Sequence, residues 1–306
     1  MGATGSWGHG AGGRPPGTGE PPAPPEYAGS IRQTPATVSR RRFLGVAAGL
    51  AASASLGSAR IARASSGGPP RVAFTWDGPW ATMFNRGFPI LRSNGFRATA
   101  YVITGFIGRT GGPGGTVRND RICTWKEIAA LRQAGWEISN HTVTHPNLAD
   151  LGVARVVQEV ENAKKELVSR GFDCPGFAYP GNKQDALVRA VVARFQEYGR
   201  IGGNSHGVAR IDSMDDLLLV PSIRFAHTTG AKMIEITRRE CFSDGRDLVW
   251  LGHLVRPPRQ DRPGQVLSVS GPALSKYLKW VAEQQRAGRL VVTTCRDLVR
   301  RNMLTR

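Results

Sequence analysis

From Arg71 to Thr294, short runs of β-branched and aromatic residues alternate with longer amphipathic stretches, and this alternation limits the fold more than any other feature. Strands are expected at Arg71–Asp77 (RVAFTWD), Thr99–Thr104 (TAYVIT), Trp136–Asn140, Gly176–Pro180, within Leu217–Phe225, across Asp247–Val255 (DLVWLGHLV) and at Leu290–Thr294. Helical spacing runs through Ala81–Asn94, where Pro89 argues for a bend or a late start. A capping box, Thr124-Trp125-Lys126-Glu127, opens a helix to Gln133, and Gly135 ends it. Leu151–Arg170, Asp185–Tyr198 and Gly271–Ala287 read as further helices, and Gly105–Asp120 as a glycine-rich loop. Strand and helix alternate at least six times. Such a chain builds a parallel α/β sheet covered on both faces, closed as a barrel or open and doubly wound. In either form functional groups gather at the carboxyl ends of the strands. No G-x-G-x-x-G follows the first strand, and neither a G-x-S-x-G elbow nor a P-loop occurs.

Residues 1–64 stand apart. Residues 1–38 are rich in Gly, Pro, Ala, Ser and Thr and cannot build a core. Ser39-Arg40-Arg41-Arg42-Phe43-Leu44 then precedes a weakly apolar stretch, Gly45 to Ala59, and Ala62-Arg63-Ala64 has a small-x-small cleavage pattern. This resembles a twin-arginine export signal, so residues 1–64 are expected to be a disordered leader and signal peptide. Residues 65–306 are expected to form the working domain, outside the cytoplasm: extracellular, in the cell wall or periplasmic. No stretch is apolar over the length of a membrane span, so membrane contact is expected only during export. The formal charge is +18, from 41 Lys and Arg against 23 Asp and Glu. The charge would suit acidic surfaces. Beyond residue 65 no dense basic run or aromatic-interleaved basic stripe occurs, so a nucleic-acid partner is not expected. Cys123, Cys174, Cys241 and Cys295 lack metal or redox spacing and are expected as buried thiols, with room for one disulfide.

The segment Glu137-Ile138-Ser139-Asn140-His141-Thr142-Val143-Thr144-His145 places two of only six histidines four residues apart. Four residues is close to one helical turn, so both imidazoles can face one point, a common way to hold a divalent metal. The plainer reading is two polar residues at a strand end. Asp77 at the end of the first strand and His253 in the late strand fall on the same predicted rim. That convergence from distant segments favours the metal reading.

In order along the chain, Thr75-Trp76-Asp77-Gly78-Pro79, His141-Thr142-Val143-Thr144-His145, Phe177-Ala178-Tyr179-Pro180-Gly181 and Leu251-Gly252-His253 resemble the motifs of the polysaccharide deacetylases, the NodB-type carbohydrate esterases of family 4. The resemblance spans roughly Arg71 to Leu298. It implies a distorted parallel (β/α) barrel of fewer than eight strands, and a hydrolase acting on non-peptide carbon–nitrogen bonds or acetyl esters of a carbohydrate polymer. It implies a divalent ion, zinc by preference, on His141 and His145. It makes Asp77 the base or a tentative third ligand, the Gly181 N–H an oxyanion donor, and His253 the acid toward the leaving group. Trp80 and Tyr179 are tentative sugar contacts. The chain departs from the family in three places. One aspartate, Asp77, stands where the family has two in succession, with Gly78 in the second place. The arginine of the third motif is missing, and so is the D-x-x-D-W motif. These gaps leave two alternatives in view: a catalytically impaired glycan-binding protein, or a hydrolase of another non-peptide C–N bond. The sequence does not define an oligomeric state.

Overall fold

The computed structural model describes residues 68–115, 117, 119–226, 228–257 and 267–303. The leader and export signal expected at 1–64 lie outside these residues. Among these residues there are ten strands: β1 (Arg71–Asp77), β2 (Thr99–Val102), β3 (Glu137–Asn140), β4 (Gly176–Ala178), β5 (Tyr198–Gly202), β6 (Val220–Arg224), β7 (Leu248–Gly252), β8 (Leu254–Arg256), β9 (Ser268–Ser270) and β10 (Val291–Thr293). The principal sheet runs β10-β1-β2-β3-β4-β5-β6-β7, and β1 also pairs with β7. That last pairing closes β1 to β7 into a seven-stranded parallel barrel, as the resemblance implied. Arg71–Ala73 of β1 pair with β10 and Thr75–Asp77 with β2, so β10 shares one edge of β1 with β2.

Among the described residues eight α-helices accompany the strands: α1 (Phe88–Ser93), α2 (Trp125–Gln133), α3 (Val153–Ser169), α4 (Ala186–Phe195), α5 (Met214–Leu218), α6 (Gly230–Thr237), α7 (Gly271–Arg286) and α8 (Cys295–Met303). The capping box at Thr124 forms as read, with both reciprocal hydrogen bonds. Pro89 lies in the first turn of α1, so the regular helix starts late, after a wider π turn over Met83–Gly87. All four cysteines are buried free thiols.

Two expectations change. Asp185–Tyr198 is not all helix: α4 ends at Phe195 and Tyr198 begins β5, a strand the sequence concealed. Its glycines, which usually signal a loop, are packing requirements. A Cβ at Gly199 would lie 2.6 Å from the Leu218 carbonyl oxygen and 2.8 Å from the Tyr179 ring. The apolar run across Asp247–Val255 is two strands, broken at His253. Leu217–Phe225 contains β6, as expected, after the end of α5.

The barrel interior is partly polar. Strands β2 and β5 are not neighbours, yet the Tyr101 and Tyr198 hydroxyls meet at 2.8 Å, through the middle of the barrel. Tyr198 Oη donates to Glu137 (2.5 Å), as do Ser139 Oγ (2.7 Å) and Thr99 Oγ1 (3.1 Å). The buried carboxyl is thus satisfied on both oxygens. Outside the ring, Phe74, Trp76, Phe225, Trp250 and Tyr277 form the largest core cluster. Gly252, just before the break at His253, is wedged there. A Cβ would run into the Phe225 ring and sit 2.8 Å from Trp76. Gly252→Ala is therefore expected to cost about 1–3 kcal/mol by overpacking. The midpoint of urea unfolding measures it, and an unchanged midpoint would contradict the packing described.

Candidate functional site

Four strands end around one cavity of ≈ 250 Å³ at the carboxyl rim of the barrel. Asp77 is the last residue of β1, His141 and His145 follow β3, Gly181 follows β4, and His253 follows β7. All five line this cavity, so residues far apart in sequence are brought together. Tyr179 and Trp80 line it too, but both are almost fully buried. A Cβ at Gly112 would lie 2.5 Å from the Trp80 ring, so backbone packs against the indole there and Trp80 serves as wall. Trp76 and Trp125 belong to the packing of the core. His206 is exposed, with its Nδ1 at 3.0 Å from the Gly207 carbonyl, whereas His227, Arg259 and Arg262 lie outside the described residues. Arg256 pairs with Asp120.

The two histidines do not converge through a helical turn. No helix covers 141–145; the segment is a loop in which Thr142 and His145 have φ of 69° and 61°. A left-handed β-branched residue is an outlier that its surroundings must hold in place. Here they do so with hydrogen bonds. Asn140 Oδ1 accepts from Thr142 N (2.8 Å), while its Nδ2 donates to Val160 O (2.8 Å). Glu159 of α3 accepts from Val143 N (3.0 Å), Thr144 N (2.8 Å) and Thr144 Oγ1 (2.7 Å). Thr142 Oγ1 accepts from His145 N (2.9 Å). The rings of His141 and His145 end 4.7 Å apart, nearly perpendicular. Glu159 was not singled out in the sequence, but there was a signal. It is an acid on the buried stripe of an amphipathic helix, between Val156 and Val160.

The groups around the cavity set one another's charge. His141 Nδ1 sits 2.8 Å from the Ala178 carbonyl, which fixes Nδ1–H as donor and leaves Nε2 as the free lone pair. That Nε2 is 3.9 Å from Asp77 Oδ2. Burial lowers the pKa of His141 to about 3, against the pull of Asp77. Burial also lowers His145, and it lowers His253 to about 4, assisted by the charges of Arg200 and Arg224. At neutral pH all three imidazoles are neutral.

Asp77 is paired with Arg200, a fully buried guanidinium in the middle of β5. Burial alone would raise the Asp77 pKa, but the opposing charges of Arg200, His141 and His253 together hold it below the ordinary value. Arg200 also lies 5.0 Å over the Tyr101 ring. Its Nε and Nη1 have no acceptor. Arg200 is the register partner of Ala178, the position of the missing third-motif arginine. A guanidinium therefore reaches the aspartate from the next strand.

The residues fit a divalent ion in part. His141 Nε2 and Asp77 Oδ2 stand 3.9 Å apart with the His145 ring beside them, and donors around a tetrahedral ion stand roughly 3.5 Å apart for bonds near 2.1 Å. Among the described residues, however, no group of three His, Cys, Asp or Glu side chains closes to enclose an ion. Gly78, in the second aspartate's place, has φ of 50° and donates its N–H to Tyr101 O (2.9 Å). His253 Nδ1 is buried without a partner, in keeping with the absent orienting motif.

Residues 64–197 match the polysaccharide deacetylase family model. The matched segment carries the first three of the four motifs and the strands that hold them. A family 4 carbohydrate esterase of Streptomyces lividans, solved with acetate, is 19% identical over 74% of this chain and 93% of its own, with a TM-score of 0.46. A Streptococcus pyogenes deacetylase, also solved with acetate, is 26% identical over 50% of this chain and 63% of its own, with a TM-score of 0.41. The chain thus spans less than two thirds of that second protein. No curated protein matches the sequence.

The imidazoles make stability depend on pH. Their folded-state pKa values lie below the unfolded value of about 6.5, so the unfolded chain binds protons first. Stability is complete above about pH 6.5 and falls as pH drops toward 4, by at most about 1.4 kcal/mol per pH unit for each histidine. Urea unfolding of the metal-free protein at pH 7, 6, 5 and 4 is expected to follow that slope, and His141→Gln to flatten it. A midpoint independent of pH would mean the imidazoles are not buried as described.

Proposed function

We propose that this chain is a metal-assisted polysaccharide deacetylase, a hydrolase that removes acetyl groups from a carbohydrate polymer. The observation that carries the reading is the meeting of Asp77, His141, His145 and His253 in one cavity beside the Gly181 N–H. The deacetylase family match over residues 64–197 supports it. His141 and His145 would hold the ion, with Asp77 Oδ2 the nearest further donor. Imidazole ligands suit zinc. Such an ion would polarise the acetyl carbonyl and acidify water.

The chain's own groups divide the remaining work. Asp77, kept ionised by Arg200, accepts the proton of the attacking water. Gly181, in a tight turn after β4 with φ of 58°, offers an N–H that donates to no acceptor among the described residues, and the developing oxyanion takes it. His253 protonates the leaving amine or alcohol. Because burial keeps its imidazole neutral, it must first receive the proton that Asp77 collected. The twin-arginine pattern at Ser39–Leu44 supports an exported enzyme acting on a wall or extracellular glycan. Gly78 favours a second reading, a glycan-binding site without turnover, because it removes a carboxylate from the donor set. Zinc content of the purified mature protein separates the two.

Asp77→Asn is expected to reduce acetate release from an acetylated glycan by at least about a hundredfold. His141→Ala should lose bound zinc, whereas His253→Ala should keep it and slow turnover. Retained activity in Asp77→Asn would remove the proposed base. Replacing Arg200 by Met takes away the charge that holds the Asp77 pKa down. The acid limb of the pH–rate profile should then move to higher pH, and an unmoved limb would leave Arg200 without this role.

A further inference from the structure

Besides the groups assigned to hydrolysis, the cavity holds a second charged side chain, Arg224. It ends β6 and pairs in register with Leu251, two residues before His253. It is exposed at the cavity wall and makes no hydrogen bond or ion pair among the described residues. Its guanidinium lies close to Gly203, where an added Cβ would be 3.7 Å from Nη2. Asp77 is the one acid among the residues lining the cavity, and Arg200 already neutralises it. With Asp77 so paired, Arg224 is the lining side chain whose full charge has no ion-pair partner among the described residues. An ion on His141 and His145 would add to it.

We infer that Arg224 selects an acidic glycan, one in which the sugar carrying or adjoining the acetyl group bears a carboxylate. A planar guanidinium accepts a carboxylate in a two-point hydrogen-bonded pair, and a neutral sugar offers nothing equivalent. The unpaired position at the edge of the site suits a substituent on the bound sugar rather than the reacting acetyl group. The inference rests on the deacetylase reading for the site, but its test does not require turnover.

The test is calorimetric titration of the zinc-loaded protein with trigalacturonate and with its methyl ester, which keeps the sugar and removes the charge. The acid is expected to bind roughly tenfold more tightly than the ester. Arg224→Gln should bring the ratio near one, and Arg224→Lys should keep part of it. High salt should reduce the wild-type preference. Equal affinities for acid and ester, binding of neither, or an unchanged ratio in Arg224→Gln would each overturn the inference. In parallel, acetate release from acetylated polygalacturonate and acetylated xylan tests the deacetylase reading. Carboxylate-selective binding without acetate release from either polymer would sink the hydrolase while leaving Arg224 its role.

Discussion

A guanidinium with no access to water is costly unless a partner and a packed surface compensate it, and the centre of this barrel is arranged around one such group. Arg200 is held between Asp77 on one side and the face of Tyr101 on the other, while two of its nitrogens stay without acceptors. The pairing ties β5 to β1 across the barrel. It also fixes the charge of the one acid in the cavity, so the same contact serves the fold and the chemistry. Below it, Tyr101, Tyr198 and Glu137 continue the polar column toward the opposite end of the ring. Only side chains pointing inward from non-adjacent strands can form such a column, which makes closure of the barrel a condition for the site.

The histidine loop depends on a second buried charge. Without the three hydrogen bonds to Glu159, the left-handed backbone at Thr142 and His145 would relax toward ordinary conformations and the rings would separate. Ala178 then serves twice. Its carbonyl orients His141, and its side-chain position, emptied of the family's arginine, is flanked by Arg200 in the adjacent strand. The Arg200 guanidinium, one strand along the sheet from Ala178, reaches Asp77, because neighbouring parallel strands hold register partners side by side. Among the described residues no side chain stands in for a second aspartate at Gly78 or partners His253 Nδ1.

Much of this was legible in the chain. The strand pattern at β1, β2, β3 and β7, the capping box at Thr124 and the late start at Pro89 are local signals, written in hydrophobic period and turn chemistry. The candidate residues Asp77, His141, His145 and His253 were legible because each ends or interrupts a recognisable apolar run, and strand ends share one rim. Strand β5 was not, because Gly199 and Gly202 read as loop when their real cause is the nearness of Leu218, Tyr179 and Leu251. With β5 hidden, Arg200 was hidden too.

The sequence by itself therefore determined the alternation, the parallel layout and which side chains could reach the rim, since these follow from periodicity and chain order. The tertiary structure decided which charge neutralises Asp77, how the rings of His141 and His145 are brought edge to face, and that Arg224 has no hydrogen-bond or ion-pair partner among the described residues. Those outcomes depend on distances between segments up to 123 residues apart, and long-range placement has no signature in local pattern.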